Sequence, residues 1–263
     1  MSKSIVVVGG SGFEDRLKGK QGVVKTPFGR VPVLVSAVGD NTIYAIHRHG
    51  KGHNLPPHKV RYHANIDVAR EVKAEAILAS TAVGVLKPVV KSGGGDLVVL
   101  ARKRYRYIPG DLILGVDILA THLYLDGKPV TFYDAFDGKQ SIHADASEIF
   151  STKLRRILLK AASELEIVLK DGAILITTTG PRYETPAEMM AASFNGAHLV
   201  GMTTAYEATL ALEIGIPYAA VAIGTNWAAG MSNSRLSHDE VIDMMARKGE
   251  DVYNLIMKAI EIM

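Results

Sequence analysis

Residues 173–214 read AILITTTGPRYETPAEMMAASFNGAHLVGMTTAYEATLALEI, and their rhythm decides the fold class. Ala173–Thr177 is a short β-branched run of the kind that forms a buried strand, and His198–Gly201 is a second. Between and after them, Pro186–Phe194 and Ala205–Ile214 carry apolar residues at helical spacing. Strand, helix, strand, helix in one stretch points to a mainly parallel sheet covered by helices. The pattern extends outward in both directions. Further strands are expected at Ser4–Val8, Val31–Val35, Thr42–Ile46, Ala76–Ala79, Leu97–Leu100 and Tyr218–Ile223, and further helices at Lys59–Val72, Ser151–Leu165 and His238–Ile260. Ser237 followed by Glu240 predicts a capping box at the start of the last helix. Paired strands at 31–47 and an aromatic stretch near 104–133 predict antiparallel or barrel-like additions. The expected fold is α/β: one domain over residues 1–263, with a mixed central sheet flanked by helices on both faces.

Composition narrows the function classes. The chain has 263 residues, 48% of them apolar and 22% charged, which suits a globular protein with a large core. Cysteine is absent, which excludes disulfides, thiolate metal sites and a cysteine nucleophile. A net charge of +3 is too small to argue for nucleic acid as a partner. No window approaches the roughly 18 uninterrupted apolar residues of a membrane span. The start, MSKSIVVVGGSG, lacks the pattern of a signal peptide, so a cytoplasmic location is expected. No repeat or composition shift marks a second domain. The loosest region is KSGGGD at 91–96, followed by the basic RKRYRY at 102–107. RKRYRY reads as a solvated edge strand or loop, with an anion or partner contact as the alternative.

Five segments could carry chemistry. Gly9-Gly10-Ser11-Gly12 follows a strand, where glycines let backbone N–H groups approach an anion and Ser11 adds a donor; a plain tight turn is the alternative. His47–His53 belongs to a stretch in which five of the nine histidines fall between 47 and 63 without one acidic residue. Metal-binding histidines are usually accompanied by carboxylates, whereas Arg48 and Lys51 repel a cation. An oxyanion site is the better reading and no metal is expected; His58 and His63 are expected at the surface. Gly180–Glu188, GPRYETPAE, sits between a strand and a helix, where α/β proteins place ligand contacts. For Glu188 the simpler expectation is an ion pair with Arg182. The last two segments are GMTT at 201–204 and GTNWAAG at 224–230, both at strand ends.

Taken together and in order, these segments resemble the trimeric class of purine nucleoside phosphorylases and the related methylthioadenosine phosphorylases. The resemblance is carried by GGSG at 9–12, RHG at 48–50, PPHKVRYHANI at 56–66, STAVG at 80–84, GPRYETPAE at 180–188, GMTT at 201–204 and GTN at 224–226. Residues 88–130 fit it poorly, and nothing is carried over from there. The resemblance implies phosphorolysis, in which a nucleoside and phosphate give a free base and ribose 1-phosphate. Inorganic phosphate is then a co-substrate and no cofactor is needed. It further implies phosphate contacts from Ser11, Arg48, His49, the backbone of Ala82, and Thr203. Arg48, His49 and Asn226 would act in catalysis. Met202 would lie against the ribose and Tyr183 on the purine face. His143 would reach into a neighbouring subunit, making the protein a homo-oligomer, a trimer or a dimer of trimers.

Three positions discriminate substrates within that resemblance. The methylthioadenosine enzymes have aspartate where this chain has Asn226, and an amide can donate to the O6 of a 6-oxopurine. Glu184 can accept the N1–H of hypoxanthine or guanine but faces a lone pair at N1 of adenine. His238 can hydrogen-bond a 5′-hydroxyl and gains little from a thioether. Trp227 and Ala228 depart from both better-known subfamilies and are assigned to substrate binding, with a place in the core as the alternative for Met202 and Trp227. The expected substrates are inosine and guanosine. The alternatives are S-methyl-5′-thioinosine, S-methyl-5′-thioadenosine, or a nucleoside or phosphate sensor on the same fold. A nicotinamide dehydrogenase is disfavoured because GGSG lacks the full dinucleotide fingerprint.

Overall fold

In the computed structural model, the apolar run after the N-terminus forms the middle of a nine-stranded sheet. Residues 2–10, 13, 16, 18–99, 106–120, 123–125, 127–133 and 143–263 are described. Strand β1 is Ser4–Gly9, with β2 at Lys20–Thr26, β3 at Gly29–Val38 and β4 at Asn41–His47. Helix α1 (Tyr62–Glu71) leads to β5 (Ala76–Val85), then to a small hairpin of β6 (Val89–Lys91) and β7 (Leu97–Val99). Strand β8 is Leu112–Leu119, and β9 (Tyr124–Leu125) pairs with β10 (Lys128–Pro129) in a separate two-stranded sheet. The second half runs α2 (Thr152–Glu164), β11 (Leu169–Thr177), α3 (Pro186–Phe194), β12 (Leu199–Gly201), α4 (Thr204–Glu213), β13 (Tyr218–Trp227) and α5 (His238–Ile262).

The sheet order is β12-β11-β8-β13-β5-β1-β4-β3-β2. The centre is parallel, β4-β1-β5-β13, while β2, β3 and β4 form an antiparallel meander at one edge. At the other end β8 runs antiparallel to β13, and β12 folds back onto β5 with Leu199 opposite Val85. Strands β12, β11, β8, β13 and β5 therefore close into a ring, which is the barrel-like addition expected near 104–133. Its filling is apolar: Val83, Val85, Tyr107, Ile113, Ala173, Leu175, Leu199 and Ala222 pack as one cluster.

Side-chain alternation in β1 shows why the sheet must be covered on both faces. Ile5 and Val7 join the cluster beneath α2 and α5, whereas Val6 and Val8 join the one beneath α1 and α4. All four are fully buried, and each buried aliphatic side chain contributes about 1.5–3 kcal/mol. A charge at Val7 would break the α5 side of the core.

Several local expectations shift. Helix α1 begins at Tyr62 rather than Lys59, because Pro57–Lys59 makes a separate 3₁₀ turn. His198 precedes β12 instead of starting it, and its Nδ1 accepts from the backbone N–H of Ile174 at 3.0 Å. At α5 only half the predicted box forms: Ser237 Oγ accepts from the Glu240 N–H at 3.3 Å, and no reciprocal bond from Glu240 is present among the described residues. The complete box is at α3, where Thr185 and Glu188 cap each other. Leu100 and residues 102–105 of the basic stretch lie outside the described residues. Tyr107 is buried, not solvated, and its hydroxyl donates to the Asp171 carbonyl at 2.9 Å. His58 and His63 are half-buried rather than at the surface. The His63 ring packs on Phe28 and Phe132, with Nε2 2.8 Å from the Thr131 carbonyl. No helix among the described residues is long and apolar enough to cross a membrane.

Candidate active site

A cleft of about 560 Å³ opens at the C-terminal ends of the parallel strands. Arg48 and His49 enter it just after β4, and Ala82 from within β5. Tyr183 and Glu184 come from the loop between β11 and α3, Met202 and Thr203 from the end of β12, Asn226 from β13, Ala228 from just beyond β13, and His238 from the first turn of α5. The structure thus brings these ten sequence-selected residues into one space. Three others fall elsewhere. Ser11 lies outside the described residues. His143 is exposed and does not line the cleft.

Trp227 corrects the expectation that it would meet the substrate. Trp227 lines a separate hollow with Pro109, Met244 and Arg247, and its ring packs on the apolar clusters with the Lys87 ammonium 4.9 Å from its centroid. A register shift between Gly224 and Asn226, where β13 pairs with β5, lies just before it, and Thr225 and Asn226 line both hollows.

One half of the cleft is built around Arg48. Its Nε and Nη2 donate to Glu207 Oε1 and Oε2 at 2.5 and 2.9 Å, and Nη1 donates to the Ser80 carbonyl at 2.8 Å. Three of its five N–H groups are thereby used, and two remain among the described residues for a ligand. Both ionic side chains are 1% exposed. Burial alone would weaken the guanidinium's hold on its proton, but Glu207 overrides it and Arg48 stays charged, its pKa above the ordinary value. Tyr218 supplies a third donor to Glu207, at 2.7 Å, and burial pushes its phenol pKa well up, so the donor keeps its proton.

Gly10 explains part of the glycine motif differently from expectation. Its N–H donates to Ser80 Oγ at 3.1 Å and so is not offered to an anion. A Cβ there would come within 2.4 Å of Arg48 Nη1 and 2.9 Å of the Ser80 carbonyl. Only glycine lets the β1 terminus pack flat against the guanidinium.

His49 is held by its Nδ1, 2.8 Å from the Leu55 carbonyl. A carbonyl only accepts, so Nδ1 carries the proton in this contact. Thr203 occupies the N-cap position of α4 but makes no capping bond with its side chain. Thr203 is buried and lines the cleft together with Arg48, next to the positive N-terminal end of α4. This cationic, donor-rich end suits an oxyanion. Among the described residues there is no cluster of acidic, histidine or cysteine side chains suited to a metal ion.

The other end carries Glu184 and Asn226, both buried. Thr178 donates to Glu184 Oε1 at 2.5 Å. Asn226 Oδ1 lies 2.7 Å from the Thr225 hydroxyl, and Nδ2 donates to the Trp227 carbonyl at 2.9 Å. Tyr183 is 38% exposed at the rim, and partial burial raises its phenol pKa. The expected Arg182–Glu188 ion pair is present at 2.7 and 2.9 Å. Reading the motifs missed Glu207, Tyr218, Ser80, Thr178 and Thr225. The one local sign of Glu207 is its place one helical turn after Thr203.

One cleft at the open end of a partly barrelled α/β sheet thus holds a buried guanidinium, Arg48, together with the buried polar side chains of Thr203, Glu184 and Asn226. The chain belongs to the phosphorylase superfamily, whose family model matches residues 4–261. It is 40% identical over 255 residues to the probable S-methyl-5′-thioinosine phosphorylase of Methanopyrus kandleri, covering 97% of this chain and 91% of that one. It is 39% identical over 262 residues to the 6-oxopurine nucleoside phosphorylase of Pyrococcus furiosus, with the same coverage. Among solved structures, the methylthioadenosine phosphorylase of Schistosoma mansoni in complex with adenine superposes with a TM-score of 0.84 at 26% identity, covering 99% of this chain and 91% of that one.

Proposed function

We propose that this enzyme is a purine nucleoside phosphorylase that cleaves 6-oxopurine nucleosides, inosine and guanosine, with inorganic phosphate. The observation that carries the reading is the polarity of the base end. Asn226 has its oxygen and one N–H engaged by protein, so what it offers a ligand is a donor, matched to O6. Glu184 offers an acceptor, matched to N1–H. Adenine reverses both groups, and each mismatch leaves a buried polar group unpaired at about 1–3 kcal/mol.

The chemistry follows from the two ends. Phosphate held by Arg48, His49, the Ala82 backbone and Thr203 lies beneath the sugar. As the C1′–N9 bond breaks, its electron pair leaves with the purine and positive charge grows on the ribose. The phosphate stabilises that charge and then forms the new C1′–O bond. Asn226 stabilises the departing base by donating to it. Met202 backs the ribose and Tyr183 and Ala228 flank the base. Ser11 joins the phosphate contacts, and His143 of an adjacent copy completes the site, which makes the working form a homo-oligomer, a trimer or a dimer of trimers. Phosphate is itself the second substrate, so the reaction calls for no metal and no cofactor.

His238 at the cleft wall favours a 5′-hydroxyl. A second reading, S-methyl-5′-thioinosine, keeps the same base contacts and is favoured by Leu236 and Val241, which line the wall along with His238. The test is release of free base from inosine, guanosine, adenosine, methylthioadenosine and methylthioinosine, each with and without phosphate. Phosphate-dependent cleavage of inosine and guanosine supports the first reading and preference for methylthioinosine the second. Cleavage chiefly of adenine nucleosides overturns both.

A further inference from the structure

We propose that Thr178 and Thr225 are specificity-determining positioning residues: their hydroxyl protons set which way the two base-reading side chains are polarised. The inference rests on Glu184 and Asn226 reading the base, and goes beyond it by naming what prevents them from reading the wrong one.

Asparagine is ambiguous by nature, since its amide can present either an oxygen or an N–H after a half-turn. Here both ends are decided by neighbours. The Trp227 carbonyl, 2.9 Å away, can only accept, so Nδ2 must face it. At the other end Thr225 has one proton and two acceptors within reach, Asn226 Oδ1 at 2.7 Å and the Val83 carbonyl at 3.2 Å. Giving the proton to Val83 would leave two oxygen lone pairs facing at 2.7 Å. The proton therefore goes to Oδ1, and the amide's remaining N–H is what the cleft receives. Thr225 is itself buried, so water does not replace it as donor.

Glu184 is treated in the same way. Thr178 donates to Oε1 across 2.5 Å, within the range of a charge-assisted O–H···O⁻ bond. That bond fixes the carboxylate plane and leaves Oε2 to accept from the ligand. The end of β11 and the β13 bulge thus each supply one hydroxyl to one reader, Thr178 to Glu184 and Thr225 to Asn226.

The experiment compares kcat/KM for inosine and adenosine, at saturating phosphate, in the wild type and in Thr225→Val, Thr178→Val, Thr225→Ser and Thr178→Ser. Each valine variant should lower the inosine-to-adenosine ratio about tenfold, the worth of one hydrogen bond of about 1.4 kcal/mol. Each serine variant, which keeps the hydroxyl, should retain the wild-type ratio, and the KM for phosphate should not move. Alanine versions carry the test should a valine variant fail to fold. Equal losses on both substrates, with the ratio intact, would show a merely structural role and overturn the inference while leaving the base reading in place. A wild type that prefers adenosine would overturn both.

Discussion

Arg48 and Glu207 meet through two parallel contacts, Nε to Oε1 and Nη2 to Oε2, with both side chains 1% exposed and 159 positions apart in the chain. The pair is a fixed piece of architecture more than a source of net stability, since taking both charges out of water offsets much of their attraction. Its worth shows when one partner is lost. Glu207→Ala would leave a buried guanidinium uncompensated, at about 3–5 kcal/mol. Urea unfolding should show that loss. Stability equal to wild type would mean that the cation is solvated in some other way.

Gly10→Ala places a methyl group on Arg48 Nη1 and on the Ser80 carbonyl. The neighbouring atoms are a pinned guanidinium and backbone, so neither yields cheaply. The expected result is a rise in KM for phosphate well above any change in KM for nucleoside. Equal changes in both constants would argue that the substitution disturbs the fold at large.

Asn226→Asp exchanges the donor at the base end for an acceptor, while the Trp227 carbonyl loses its partner. Inosine cleavage should fall by at least about tenfold in kcat/KM, and the inosine-to-adenosine ratio should move toward adenosine. Kinetics on the two nucleosides decide it, and an unchanged ratio would remove Asn226 from base recognition.

His238→Ala separates the two readings of the sugar. If His238 bonds a 5′-hydroxyl, KM for inosine rises and that for methylthioinosine stays or falls. The opposite pattern would assign this wall of the cleft to the thioether.

Glu188 carries a pH signature. Hydrogen bonds from Arg182 and from the Thr185 N–H hold its carboxyl at about 2, below an ordinary 4.5. A depressed native value means that the folded state resists protonation, so the contribution is complete above about pH 4.5 and fades as pH falls toward about 2. The group is exposed, and its effect should be confined to a small steepening of the acid limb. Thermal melts between pH 2.5 and 6 should show that limb flatter in Glu188→Gln, and coincident curves would refute the assignment.

The alternation of strands and helices was legible because both kinds of element leave local marks. Buried parallel strands such as β1 and β13 are unbroken apolar runs, and α2 and α5 carry one apolar face. Strand β2 went unread because Lys20, Gln21 and Lys25 give an exposed edge strand no apolar period. Strand β8 was hidden by Gly115, which leaves room for the Phe150 ring, and by Asp117. At the site, residues that project from strand ends in recognisable motifs could be found one by one. Their supports could not, because Glu207 and Ser80 reach Arg48, and Tyr218 reaches Glu207, only through the folding of distant segments. Trp227 lines a different hollow, directly after a one-residue bulge in β13 that the sequence does not mark.

The return of β12 onto β5 has a consequence for which molecules can enter. Ala82 lies on β5, Thr203 follows β12, Asn226 lies on β13, and Glu184 follows β11. All four strands belong to the hydrogen-bonded ring, and Ala82, Thr203 and Asn226 lie on those strands or directly at their ends, so the spacing between these three is set by the sheet backbone. The enzyme is a caliper with its jaws locked at one opening. Nucleosides altered within that span, such as 2′-deoxy forms, keep the gauge, whereas any that lengthen the path from base to anomeric carbon should be turned away whatever their hydrogen-bonding groups.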